Sequence, residues 1–189
     1  MFFIMEKQQK SFKEKVLEVI FIGAQKYKQF FLDYEYQISS AGFSENKFYV
    51  ISATKSNFLH LTGVNTNLTA TQFFDKALNK TLSVDDFDFC KKGQTEKDVK
   101  GCVRSKMKIL PDIEKILSDT TLVEEKFVKN KVSCTFAASE NSFTLGFISV
   151  PKCRPKTLLK GNKLKNPCKI DSIKRRKIGE KEFVEFELK

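Results

Sequence analysis

The chain contains a single histidine, His60, and the residues around it raise the first question about chemistry. It lies in Asn57-Phe58-Leu59-His60-Leu61-Thr62-Gly63-Val64, where an amide, an imidazole and a hydroxyl sit between apolar side chains. An imidazole titrates near neutral pH and can therefore take up or release a proton there. His60 and Thr62 are spaced so that an extended segment would project both from one face, with Gly63 ending it. The plainer alternative is a histidine satisfied within the fold.

A second feature is charge. The net charge is +11, and it is concentrated. From Lys152 to Lys177 there are eleven Lys or Arg residues against one acid, Asp171, which leaves the rest of the chain near neutral. Such a field suits a polyanion, because neutralising phosphates releases counterions. Arg154, Lys156, Lys174, Arg175 and Arg176 are therefore candidate nucleic-acid contacts; a solvated lysine-rich face is the alternative.

Several other chemistries find no support. No glycine-rich phosphate loop and no nucleophile elbow is present. A Ser-His-Asp or Cys-His site would have to use His60 and has no local signature. Cys90, Cys102, Cys134, Cys153 and Cys168 are far apart and odd in number. They suggest neither a zinc site nor a disulfide framework, and they fit a reducing cytoplasm. The acidic run Asp85-Asp86-Phe87-Asp88 could hold a divalent cation, but acids at turns or helix ends beside packed phenylalanines explain it better. Pro111-Asp112 and Glu187-Leu188-Lys189 fit a metal nuclease pattern only loosely, since the first falls in helical sequence and the second at the terminus. Met1 to Met5 is too short an apolar run for a signal peptide, with Met5 an alternative start, and no segment approaches a membrane span. The two N-x-T triplets, at Asn67 and Asn79, carry no meaning without secretion.

A site rich in Lys, Arg, His and hydroxyls and poor in clustered carboxylates suits RNA cleavage without a metal or other cofactor. The ribose 2′-OH attacks the adjacent phosphate, a base takes its proton, an acid protonates the leaving 5′-oxygen, and cations hold the charge that develops. DNA lacks the attacking hydroxyl.

The string Asn57 to Val64, then Phe73-Phe74, Asp86-Phe87, Lys100-Gly101-Cys102-Val103-Arg104-Ser105-Lys106 and Pro155-Lys156-Thr157-Leu158-Leu159-Lys160, resembles the fourth phage-type family of the barnase–EndoU–colicin–RelE nuclease superfamily. The likeness runs from about Phe21 to the C-terminus. It implies a small α+β fold and a metal-independent endoribonuclease of toxin or phage-effector type, acting on RNA, with tRNA among the candidates. By the same resemblance His60 is the general acid or base. Lys160, Arg104 or Arg175 stabilises the transition state, Thr62 or Thr157 positions the phosphate, and Lys106 and Lys156 contact nucleic acid. With no second histidine, a lysine or tyrosine (Lys26, Tyr27 or Tyr36) would have to be the partner of His60, or the domain is inactive. A neutralising antitoxin or immunity protein would cover the basic face with acidic residues. The rival is a basic binding module without turnover, of phage or mobile-element origin; an ADP-ribosyltransferase using Glu182, Glu185 or Glu187 has no supporting motif.

The elements that must position these residues follow from patterning. The 189 residues, 41% hydrophobic and 30% charged, describe a globular chain long enough for a core. Residues 1–10 are expected to be disordered or extended, and 11–189 to form one domain. Ser11 and Glu14 make a capping box for a helix to about Asp33, in which Gly23 would allow a close crossing. Tyr34–Ile38 and Lys47–Ile51 predict an early hairpin, Thr69–Asn79 an amphipathic helix, and Thr95 a long helix toward Leu117 that Pro111 ends or kinks. Period-2 patterning then predicts strands at Lys131–Ala138, Phe143–Val150, Lys169–Lys177 and Glu182–Leu188. The expected class is α+β, helices followed by an antiparallel sheet of about four strands.

Overall fold

The computed structural model describes residues 9–129 and 131–187. Most of the expected extended start and the end of the last expected strand lie outside the described residues.

Helix α1 (Phe12–Tyr27) begins at a reciprocal cap: the Ser11 hydroxyl accepts from the Glu14 amide at 3.2 Å, and the Glu14 carboxylate accepts from the Ser11 amide at 2.7 Å. It widens into a π turn, Lys28–Leu32, before β1 (Tyr34–Ser39) and β2 (Phe48–Ile51). Two short helices follow, α2 (Phe58–Thr62) and α3 (Ala70–Leu78). Next comes α4 (Glu96–Met107), capped by Thr95. The helix expected to reach Leu117 stops at Met107, and a 3₁₀ segment, Leu110–Ile116, carries Pro111 in its first turn, where the missing amide costs nothing. Gly23 is where this segment meets α1: a Cβ there would lie 2.4 Å from Leu110 Cγ, so only glycine permits the crossing.

The second half is β3 (Leu122–Glu125), β4 (Val128–Lys129), β5 (Val132–Ser133), β6 (Phe136–Glu140), β7 (Phe143–Ser149), β8 (Cys153–Lys160), β9 (Cys168–Lys169), β10 (Ser172–Lys177) and β11 (Val184–Glu185). The expectation of about four antiparallel strands is overturned. Nine strands form one mixed sheet in the order β11-β10-β1-β2-β8-β7-β6-β3-β9, with β4 and β5 paired apart. The early strands belong to this same sheet: Tyr36 of β1 faces Ile51 of β2 on one side and Arg175 of β10 on the other. β2 and β8 run parallel and meet at the single pair Ile51↔Cys153, the joint between two antiparallel halves. Only Ile170 and Asp171 separate β9 at one edge from β10 near the other, so the sheet must curl to bring its ends together.

Most of the buried side chains form one core in which α1, α2 and α3 pool their aromatics, with Phe58 5.3 Å from both Tyr27 and Phe74. On the sheet, the Phe136 ring stacks 4.7 Å from Phe147 and 4.8 Å from Tyr49. A smaller cluster, Phe127, Cys134 and Ala137 with Leu159 and Leu164 against it, packs separately beside β8.

Candidate active site

The segment holding His60 is helical, not extended. Thr54 and Asn57 cap each other, the Thr54 amide donating to Asn57 Oδ1 at 2.9 Å, and Gly63 ends α2 in the left-handed region at φ 79°. Helical geometry turns residues 60 and 62 about 200° apart. Thr62 is fully buried, and its hydroxyl donates to the Leu59 carbonyl at 2.8 Å, so it serves α2 itself. His60 stays on the exposed side.

Gly63 also makes room for a lysine. A Cβ there would meet Lys106 Cδ at 3.0 Å, so the Lys106 stem lies against bare backbone. Its ammonium donates to the His60 carbonyl at 2.6 Å. Lys106 lines a cleft of about 320 Å³ between α4 and the end of β8, together with Cys102, Ser105, Lys129, Leu158, Leu159, Lys160 and Lys163. Four lysines and no carboxylate line it.

The Lys160 to Lys165 corner is built by hydrogen bonds. Gly161, at φ 73°, donates from its amide to Ser142 O at 2.7 Å. The buried Thr144 hydroxyl donates to Gly161 O and accepts from the Lys163 amide, each at 2.9 Å. Glu124 accepts from the amides of Lys165 and Asn166, the latter at 3.0 Å. These contacts fix the backbone that carries Lys160 and Lys163.

The electrostatics follow from crowding. Burial pushes the Lys106 ammonium down to about 8, with the nearby Lys91 charge adding and Cys102 opposing. Burial, then the charges of Lys106 and Lys91, also lowers the His60 imidazole. Such a cleft suits an anion, and one of its lysines is bonded to the backbone of the residue that carries the imidazole.

The other sequence candidates are dispersed. Arg104 lies about 200° around α4 from Lys106, over the Phe12 ring at 5.1 Å. The Thr157 methyl packs beside Gly146 near Cys134, and Lys156 donates to Ser133 O at 2.9 Å. Arg154 is half-buried, its Nε without a partner among the described residues. Lys174 pairs with Glu185 at 3.2 Å, and Arg175 lies 4.7 Å over both Tyr34 and Phe186. Arg176 Nη2 and Lys152 Nζ reach the two oxygens of buried Glu35 at 2.6 Å and 2.5 Å. Burial alone would raise the Glu35 carboxyl, but hydrogen bonds from Lys152, Ser52 and Arg176 outweigh it and hold it at about 2. The basic stretch is thus divided between the cleft at one end of β8 and a carboxylate clamp at the other.

None of the partners expected for His60 is placed for it. Tyr27 and Tyr36 are buried, Tyr27 donating to Thr54 O at 3.0 Å, and Lys26 pairs with Glu114 at 2.6 Å. Sequence reasoning missed Lys129, Lys163, Ser105 and Thr144. Only the Gly161-Asn162 turn after Lys160 hinted at a corner that would return a second lysine.

In the acidic run, Asp86 pairs with Lys76 at 2.7 Å and Asp88 accepts from Asn65 at 3.0 Å. Among the described residues, no three His, Cys, Asp or Glu are grouped to hold a metal, and no helix is long and apolar enough to cross a membrane. The five cysteines are unpaired thiols.

A search of curated proteins and of solved structures finds no match to the chain. Residues 20–188 match the model of the phage-Barnase-EndoU-ColicinE5/D-RelE like nuclease4 family, and the chain therefore belongs to that nuclease family.

Proposed function

We propose that this nuclease is a metal-independent endoribonuclease whose reaction takes place at the lysine cleft beside His60. The observation that carries the reading is the convergence of Lys106, Lys129, Lys160 and Lys163 on one carboxylate-free cleft, with Lys106 bonded to the backbone carbonyl of the chain's single histidine. A scissile phosphate seated among these cations gains charge as the 2′-OH attacks, and the lysines hold that charge in a partly desolvated setting. His60, its imidazole lowered by partial desolvation and by the charges of Lys106 and Lys91, takes the 2′-OH proton. The P–O5′ bond breaks, giving a 2′,3′-cyclic phosphate and a 5′-OH. Lys160, exposed at the rim, is the leading charge-holding residue; Arg104 and Arg175, both outside the cleft, are left to more distant contacts with the RNA. Structured RNA such as tRNA is a natural substrate for so basic a surface, and an acidic protein covering the cleft would neutralise it.

The test is cleavage of total tRNA and a generic RNA in EDTA by the wild type, His60→Ala and Lys160→Ala. Cyclic-phosphate ends from the wild type, with a loss on the order of 10²-fold or more in His60→Ala, are expected. Salt-sensitive RNA binding without cleavage by any of the three would instead make the chain a binding module.

A further inference from the structure

The reaction needs a second proton carrier, to protonate the 5′-oxygen as it leaves, and the chain has no second histidine. From the placement of Lys106 we infer that its ammonium is the general acid, paired with His60 as the base. This rests on the ribonuclease reading and adds a residue role to it.

Two features separate Lys106 from the other cleft lysines, and a third it shares with them. Its stem is wedged against Gly63, where a Cβ would come within 3.0 Å of it, so the ammonium has one narrow range of positions. It donates to the backbone carbonyl of His60 at 2.6 Å, which ties the ammonium to the α2 backbone that carries the base. Like Lys129, Lys160 and Lys163, it pairs with no carboxylate among the described residues, so its charge is not bound up in an ion pair. Lys160, by contrast, is exposed at the end of β8.

The groups around Lys106 explain why it can release a proton. His60 stands on α2, Cys102 on its own helix, Lys91 on the approach to α4, and Lys129, Lys160 and Lys163 across the cleft. The Cys102 thiol favours the ammonium; burial and the Lys91 charge oppose it. Burial and this repulsion place it at about 8, with His60 below its ordinary 6.5. The two groups are pushed so that the protonated acid and the neutral base coexist near pH 7, the division of labour that two-group catalysis requires. The proton balance closes: the 2′-OH proton passes to the imidazole, the P–O5′ bond breaks, and the ammonium proton passes to the 5′-oxygen.

The experiment is a pH–rate profile of wild type and Lys106→Arg on an RNA oligonucleotide in EDTA, repeated with a substrate whose scissile 5′-oxygen is replaced by sulfur. Arginine keeps the charge but does not release its proton in this range. Wild-type kcat should rise through the His60 limb below pH 6.5 and fall on a limb near pH 8. Lys106→Arg should lose about 10²–10⁴-fold in kcat with KM within a few-fold, and lose the alkaline limb. On the sulfur substrate, whose leaving thiolate needs no proton, its deficit should shrink to less than about tenfold. A merely positional role would give the same deficit on both substrates, and that result, or an unchanged alkaline limb, overturns the assignment while leaving the ribonuclease standing. No cleavage by the wild type removes both.

Discussion

Glu35→Gln separates the cations that hold the sheet from those that line the cleft. Glu35 is 5% exposed, and Lys152 and Arg176 both bind its carboxylate. A carboxyl held at about 2 in the fold, against an ordinary 4.5, contributes roughly 3 kcal/mol, at about 1.4 kcal/mol for each tenfold change in proton affinity. Removing the charge while keeping the shape strands two cations and should cost about that much at pH 7, in the range found when one partner of a buried pair is removed. Folding lowers this pKa, so the contribution is complete above about pH 4.5 and fades as the pH falls toward about 2. In urea at pH 7 the variant's midpoint should fall by about 1.5 M, taking a slope near 2 kcal/mol per M. The gap should narrow steadily between pH 4.5 and 2.5. A gap that is equal at pH 7 and pH 3, or under about 1 kcal/mol at pH 7, would refute the claim that a clamped carboxylate holds β1, β10 and the start of β8.

Gly23→Ala sets a helix gain of about 1 kcal/mol against overpacking of Leu110 that costs about 1–3. With Leu110 2.4 Å from the added carbon the clash should win, lowering Tm by about 2–6 °C by calorimetry, and a Tm at or above wild type would contradict the close crossing. Thr144→Val removes the hydroxyl that serves both Gly161 O and the Lys163 amide, so about 1–3 kcal/mol of stability should go. KM for RNA should also rise as Lys160 and Lys163 lose their fixed corner, which steady-state kinetics on a folded variant will show.

What could be read from the sequence was local. The Ser11 cap and the Thr95 cap each depend on residues a turn apart, and each stands where those residues put it, whereas Pro111 opens the 3₁₀ segment after α4 has already ended at Met107. The sheet depends on distant partners. β9 and β11 have two residues each, too few for any periodicity, and β1 finds its second neighbour only at β10. The His60 segment invites an extended reading because an interval of two suits a strand, although Thr54 and Asn57 before it and Gly63 after it are start and stop signals for a helix. Within the site, Lys106 and Lys160 could be named in advance, but that they share a cleft with Lys129 and Lys163 depends on how α4 meets β8 and how the chain turns at Gly161. The charge total pointed to one basic face; buried Glu35, inside an alternating strand, divides it.

The double pairing of β1 also bears on how the chain comes off the ribosome. Its first neighbour is synthesised almost at once, whereas Ser172–Lys177 appears only after every other strand of the main sheet except β11. Through that interval Tyr34–Ser39, rich in aromatics, keeps one ladder edge open, and an open edge of this kind recruits whatever strand is nearest. At low concentration that strand is the chain's own β10. In a crowded preparation the β10 of a neighbour competes for that edge, and pairing there would give an exchanged pair in which each molecule closes the other's sheet.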